Sequence, residues 1–320
     1  YDAVVFEDAA PKFATFAAPT RVYARFLDLP LLTGREIEHT PHVAVSRSPW
    51  AGPVAIYSSG QDAGYALAAE ASRPSVLGET ISELAPAFPG VWMRSSLLVR
   101  LESGRLQSGI DLDVLNGGNT AVVRLADTEE WEVVQFRSAE LISPGAYRLE
   151  GLLRGQAGTD WLSASALPAG SEFVLLDGAP VQLDYPISAR GIERHYRIGP
   201  ASRSYDDASF VHRRAAFDGV GLRPYAPAHL KAKRLEDGGI GVSWIRRSRI
   251  DGDSWSGEDI PLGEDRELYR VRIISQGLLL RETDSPAASF TYTLQAWEKD
   301  GGPESLSFEV AQVSSRVGPG

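Results

Sequence analysis

The sequence predicts a mainly-β protein that ends in a fibronectin type III-like sandwich. Three observations carry the prediction. Apolar and polar residues alternate in short runs, which is the period of a half-buried strand. Gly, Pro, Asp, Asn and Ser separate those runs. No segment holds a 3.6-residue period for four turns, so no long amphipathic helix is expected.

The elements follow in chain order. Residues 66–71 are Ala-rich and read either as a short helix or as a strand through Tyr65, Leu67 and Ala69. Leu97, Val99 and Leu101 alternate with Leu98, Arg100 and Glu102. Residues 111–115 read as a single helical turn ahead of Asn116-Gly117-Gly118-Asn119. Tyr147, Leu149, Gly151 and Leu153 alternate with Arg148, Glu150, Leu152 and Arg154. Residues 173–176 are continuously apolar, as in a strand buried on both faces. Val181, Leu183 and Tyr185 alternate with Gln182 and Asp184. The turns Ser143-Pro144-Gly145 and Pro168-Ala169-Gly170 supply a preset φ and a residue tolerant of positive φ.

Residues 187–224 hold seven arginines against four acids, with Gly199-Pro200 and a Pro-punctuated end. Such a polar, weakly periodic stretch reads as a linker or an extended arm. Beyond it the strands resume: 228–233, then Ile240, Val242 and Trp244, then Tyr269, Val271 and Ile273. Phe290, Tyr292, Leu294 and Ala296 form the next, and Leu306, Phe308 and Val310 the last. Several strands in a short span, with an inward Trp early and an inward Tyr later, give the sandwich reading.

Composition excludes several functions. The chain has 320 residues, 32 basic and 42 acidic, for a net charge of −10. A nucleic-acid or anionic-membrane binder needs a basic face, so neither is expected. There is no cysteine, which removes disulfides, thiolate metal sites and cysteine nucleophiles. No apolar run approaches the ~18 residues of a membrane helix, so no membrane span is expected. The chain begins at Tyr1 and its only methionine is Met93, which predicts a piece of a longer protein.

The residues that invite chemistry have bland counterparts. Gly252-Asp253-Ser254 suggests a serine hydrolase, but all five histidines precede Ser254, whereas that arrangement wants its base downstream. Asp251, Asp253, Glu258 and Asp259 are hard-cation ligand types, yet the EF-hand positions fall on Trp255, Ser256 and Leu262. A solvated acidic loop is the default, with Trp255, Asp251 and Asp253 as its candidate binding residues. His39 and His42 flank Pro41, which forces an extended chain rather than a shared helix face. Arg246, Arg247 and Arg249 read as cross-strand partners of Glu264, Asp265 and Glu267. Seven tryptophans and eleven tyrosines suffice for sugar-stacking platforms, though most aromatics in a sandwich are core. No catalytic residue, metal site or cofactor is expected, and the chain is read as not an enzyme.

Four runs together resemble a known family. They are Pro49-Trp50-Ala51-Gly52-Pro53, Leu115-Asn116-Gly117-Gly118-Asn119, Tyr147 through Thr159 with its Leu-Leu-Arg-Gly core, and Val242 through Trp255 followed by Pro261-Leu262-Gly263-Glu264. The series resembles the C-terminal part of the large tail-tip protein of gene transfer agents and related tailed phages, the baseplate megatron or host-specificity protein. The resemblance is clearest over residues 41–180 and 222–275. It implies a β-rich hub-like domain over 1–105, a β-barrel-like hub domain over 106–190, a connecting arm over 191–221 and the sandwich over 222–320. It also implies a structural role in a tail tip or baseplate, assembled in the bacterial cytoplasm and released in the particle. The implied partners are other tail-tip proteins, a homotrimer in the particle and host envelope polysaccharide. The family's upstream glycosidase-like barrel is not visible here, so no catalytic residue carries over.

The motif residues have physical expectations of their own. Gly155 and Gly158 allow a sharp turn after the Tyr147 strand. Arg154 is expected to brace that turn through carbonyls or an acid such as Asp160. Trp244 is expected in the core. A receptor-binding module and a cell-wall glycan hydrolase remain the rival readings; a concave site lined with aromatics or paired acids would favour them.

Overall fold

A computed structural model describes residues 21–126, 128–250, 252 and 260–320. The described chain is mainly β and folds as three units. The first begins with β1 (Tyr23–Leu27), β2 (His42–Ser46), β3 (Val54–Ser59) and β4 (Ala66–Ala71). The Ala-rich stretch is therefore a strand, and it pairs antiparallel with β3.

The chain then leaves to build a second unit before the first is complete. This unit contains β5 (Leu77–Thr80), β6 (Leu97–Leu101), the short helix α1 (Asp111–Leu115), β7 (Thr120–Arg124), β8 (Trp131–Ser143), β9 (Ala146–Gln156) and β10 (Glu172–Leu175). Its six strands close into an antiparallel barrel in the order β10-β5-β6-β9-β8-β7. Closure removes the open edges a sheet would otherwise expose. Leu97, Val99, Val123, Phe136, Leu149 and Phe173 fill the barrel.

The chain returns with β11 (Val181–Gln182), β12 (Arg194–Pro200) and β13 (Val211–Ala215). β11 pairs with β2 on the edge opposite β1, and β12 inserts between β3 and β13 in a sheet of order β13-β12-β3-β4. The two sheets enclose Val43, Val45, Val54, Ile56, Tyr196 and Ile198. The barrel is thus an insertion between β4 and β11 of a β-sandwich.

Two expected boundaries are corrected by this topology. The 105/106 boundary cuts the barrel, since β5 and β6 precede it and pair with β10 and β9. The segment 191–221 is no arm, because β12 and β13 lie in the first sheet and Tyr196 is fully buried. On β12 Arg197 faces outward with His195, while Tyr196 and Ile198 alternate inward. Arg194 shares their parity and donates to Ser58 at 2.9 Å, and Arg190, Arg203 and Arg223 lie outside the strands.

A third apolar cluster joins sandwich and barrel. Leu27, Leu29 and Ala44 pack on Leu77, Val122, Trp131, Val133 and Val174. Barrel strands facing this contact are buried on both sides. That explains the continuous apolar runs: Phe173 points into the barrel and Val174 into the joint.

The third unit contains β14 (Ala228–Arg234), β15 (Ile240–Ile245), β16 (Tyr269–Ser275), β17 (Leu278–Ser285), β18 (Ser289–Tyr292), the helix α2 (Leu294–Lys299), β19 (Ser307–Ser314) and β20 (Gly318–Pro319). Sheets of order β14-β15-β18 and β17-β16-β19-β20 give the three-plus-four arrangement of a fibronectin type III-like sandwich. Val242, Trp244, Tyr269 and Val271 form its core. The strand expected through Leu294 and Ala296 stops at Tyr292. There the Thr293 hydroxyl caps α2, accepting from the Ala296 N–H at 3.2 Å.

Candidate functional site: the junction of the three units

The site begins with a charge inside the barrel wall. Arg154 on β9 and Glu132 on β8 are both fully buried. Isolated charges there would be prohibitive, so every polar atom needs a partner. Arg154 Nε donates to Glu132 Oε1 at 2.8 Å and Nη2 donates to Oε2. Nη1 donates to the carbonyls of Ala85 and Ser165, each at 2.8 Å, and Nη2 to that of Leu162 at 3.2 Å. All five guanidinium N–H groups are thereby used. The Gly155 N–H donates to Glu132 at 2.9 Å. Arg154 does brace carbonyls of the following turn, but its acid is Glu132 and not Asp160.

The turn after β9 is built on two glycines for different reasons. Gly155 has φ +65°, and a Cβ on it would sit 2.9 Å from Asp160 Cα. Gly158 has φ +83°, and its Cβ would fall 2.4 Å from Tyr225 Cδ1. The first glycine lets the turn close on itself. The second makes the seat for a ring arriving from the segment that leads into the third unit.

That segment is held electrostatically as well. Arg247 pairs with Asp160 and lies 5.2 Å over the Tyr225 ring. Arg249, 8% exposed, donates to Glu264 at 3.0 Å and to Glu38 at 2.8 Å. It also donates to the carbonyls of Gly221 and Gly263, each at 3.1 Å. Arg316 reaches Glu38 at 3.1 Å. The expected pairing of this arginine run with Glu264 occurs at Arg249. Arg246 instead donates to the Ile260 and Pro261 carbonyls, and Arg247 and Arg249 clamp the third unit to the barrel and the first sandwich.

Asp28, just past β1, completes the junction. Its carboxylate accepts the N–H groups of Asp218, Gly219 and Val220 at 2.9, 3.0 and 2.9 Å. Burial pushes its pKa above the ordinary 3.8, outweighing the three hydrogen bonds that pull it down.

A cleft of about 360 Å³ opens among these elements. Trp161, half exposed, stands in its lining with Phe26, Tyr225, Glu130 and Arg214. An aromatic face beside carboxylates and guanidinium groups suits a ligand with one apolar face and hydroxyl edges.

The sequence-predicted residues divide three ways. Arg154, Gly155 and Gly158 lie at this junction. Trp244 lies in the third core, edge-on to Tyr269 at 5.1 Å. Asp251, Asp253 and Trp255 fall outside the described residues. Glu132, Trp161, Asp28 and Tyr225 were not anticipated. Glu132 left a readable signal: a lone acid in the apolar run Trp131 to Val134, matching the lone cation in Leu152-Leu153-Arg154.

Comparison with known proteins bears on the barrel. The family model described as "Rcc01698-like, C-terminal" matches residues 75–174, the span from β5 through β10. The match is consistent with a structural protein associated with gene transfer agents. No curated protein matches. Among solved structures, the FN1–FN3 domains of chicken CNTN1 align at 9% identity over 94% of this chain and 95% of that one, with a TM-score of 0.22. Domains A168–A170 of titin align at 10% identity over 93% of each chain, with a TM-score of 0.21. The fold assignment rests on the strand order given above. No described helix is long and apolar enough to cross a membrane.

Proposed function

We propose that this chain is a non-enzymatic architectural module of a phage-like particle of the gene-transfer-agent type, placed at the tail tip or baseplate. The observation that carries the reading is the family match on the barrel, the unit whose wall holds the buried Arg154–Glu132 pair. The motif resemblance over residues 41–180 and 222–275 supports it. The junction supports it too: three β units are tied by an apolar seam, a caged carboxylate and two arginine clamps, as a load-transmitting part requires. In this reading its partners are other tip proteins, with a homotrimer around the tail axis. Immunogold labelling of purified particles with antibodies against this chain tests it. Gold confined to the tail tip is expected; particles without label, or label on the capsid, would overturn the placement.

A second reading rests on the cleft. Trp161 beside carboxylates and guanidinium groups favours an envelope polysaccharide as ligand. Labelled chain is then expected to bind host cells saturably, with competition by extracted polysaccharide and a loss of binding in Trp161→Ala. Unchanged binding by that variant would remove the cleft from the account.

A further inference from the structure

We propose that Asp62, His195 and His212 form a binding site for a divalent transition-metal ion on the outer face of the first sandwich. The three residues are far apart in sequence. The sheet brings them together. β12 and β13 pair with Arg197 opposite His212 and His195 opposite Arg214. His195 and His212 are therefore diagonal neighbours on one face, and the intervening Tyr196 is buried on the other. Asp62 comes from the loop joining β3 to β4.

The donor atoms already converge. His195 Nδ1 lies 3.0 Å from His212 Nε2, and His212 Nε2 lies 3.9 Å from Asp62 Oδ1. One ligand atom from each residue falls within 4.8 Å of the other two. The ring centroids are 5.2 Å apart with planes 12° apart. With the nitrogens so close, the rings meet edge to edge and share a proton in one N–H···N bond. Two nitrogens on one tetrahedral zinc, each about 2.0–2.1 Å from it, sit about 3.3 Å apart. Reaching that geometry needs a small separation and a turn of about 35° in each ring. Both side chains lie half-buried on the outer face of the sheet, opposite the core that holds Tyr196. On binding, the donor imidazole moves its proton to its other ring nitrogen, so both facing nitrogens present lone pairs.

Groups around Asp62 supply the outer support such sites use. The Tyr65 hydroxyl donates to Asp62 Oδ1 at 2.5 Å and Arg197 Nη2 at 3.0 Å. Both bonds orient the carboxylate. Calcium and magnesium take oxygen ligands, and this set offers only one carboxylate, which disfavours them. Two imidazoles and one carboxylate suit zinc, nickel, copper or cobalt. Three protein ligands leave one position for water or for a donor atom of another molecule.

The test is titration of the full chain with cobalt(II), read by its visible absorption, and with zinc by calorimetry. One saturable ion per chain is expected, with a cobalt spectrum of low-coordinate nitrogen and oxygen ligation. His212→Ala and His195→Ala are expected to abolish that spectrum. Tyr65→Phe is expected to weaken binding about 10-fold, as loss of an outer-shell partner does. Circular dichroism of each variant confirms the fold. No saturable binding, or undiminished binding in His212→Ala, would overturn the assignment.

Discussion

Replacing Arg154 by Met isolates what the buried pair does. Met keeps much of the stem volume and removes every donor. Glu132 stays fully buried and retains only the Gly155 N–H among its described partners. The carbonyls of Ala85, Leu162 and Ser165 each lose a donor. Breaking a buried pair by removing one partner costs about 3–5 kcal/mol, because an uncompensated charge is left in the interior. At a urea slope of about 2 kcal/mol/M, the barrel transition should fall by about 2 M. Trp131 and Trp161 lie in or beside the barrel and report it by fluorescence. The paired change Arg154→Met with Glu132→Leu removes both charges, so it should recover more than half of the loss. A single variant that loses under about 1 kcal/mol, or a double variant as destabilised as the sum of its singles, would refute the reasoning.

Three further outcomes test the junction. Arg249→Ala should cost about 2–4 kcal/mol, because Glu264 is nearly as buried as its partner and loses its cation; faster amide exchange around Gly221 and Gly263 checks it, and unchanged protection would count against the clamp. Gly158→Ala should cost about 1–3 kcal/mol, from a left-handed φ and from displacing the Tyr225 ring. Adding Tyr225→Leu should relieve only the steric part in urea unfolding, and complete relief would deny the backbone strain. For Asp28 the folded pKa is raised, so the folded state binds its proton more tightly than the unfolded chain. That contribution favours folding at low pH and declines as pH rises through the window above 3.8. Asp28→Asn should therefore gain on the wild type as pH rises through that window, measured by urea midpoints; a gap constant with pH would refute it.

How the units meet was only partly legible. Alternation exposed β6, β15 and β16, because each buries one face and its turns use residues suited to unusual φ. In β9 it holds only as far as Gly151, whose φ of 59° breaks the period, so that Leu152, Leu153 and Arg154 are all buried. The same logic hid β12: its outward positions carry His195 and Arg197, and the arginine-rich composition around them resembles a linker. The end of β18 was misjudged because Leu294 and Ala296 continue the alternation, while the Thr293 cap that starts α2 is a local hydrogen bond. Arg154 was recognisable as a brace, yet its partner was not, since Asp160 is nearer along the chain than Glu132.

By itself the sequence determined the mainly-β class, the third sandwich and the turn built on Gly155 and Gly158. These follow from local rules: side-chain period, φ preference and apolar content. Only the tertiary structure decided that the barrel is inserted into the first sandwich. It alone seated Tyr225 on Gly158 and carried Arg249 to Glu38. It also placed His195 and His212 against Asp62. Each of these depends on strand register and closure between residues tens to hundreds of positions apart. No local pattern encodes such pairings, because many chains with the same alternation could pair their strands in another order.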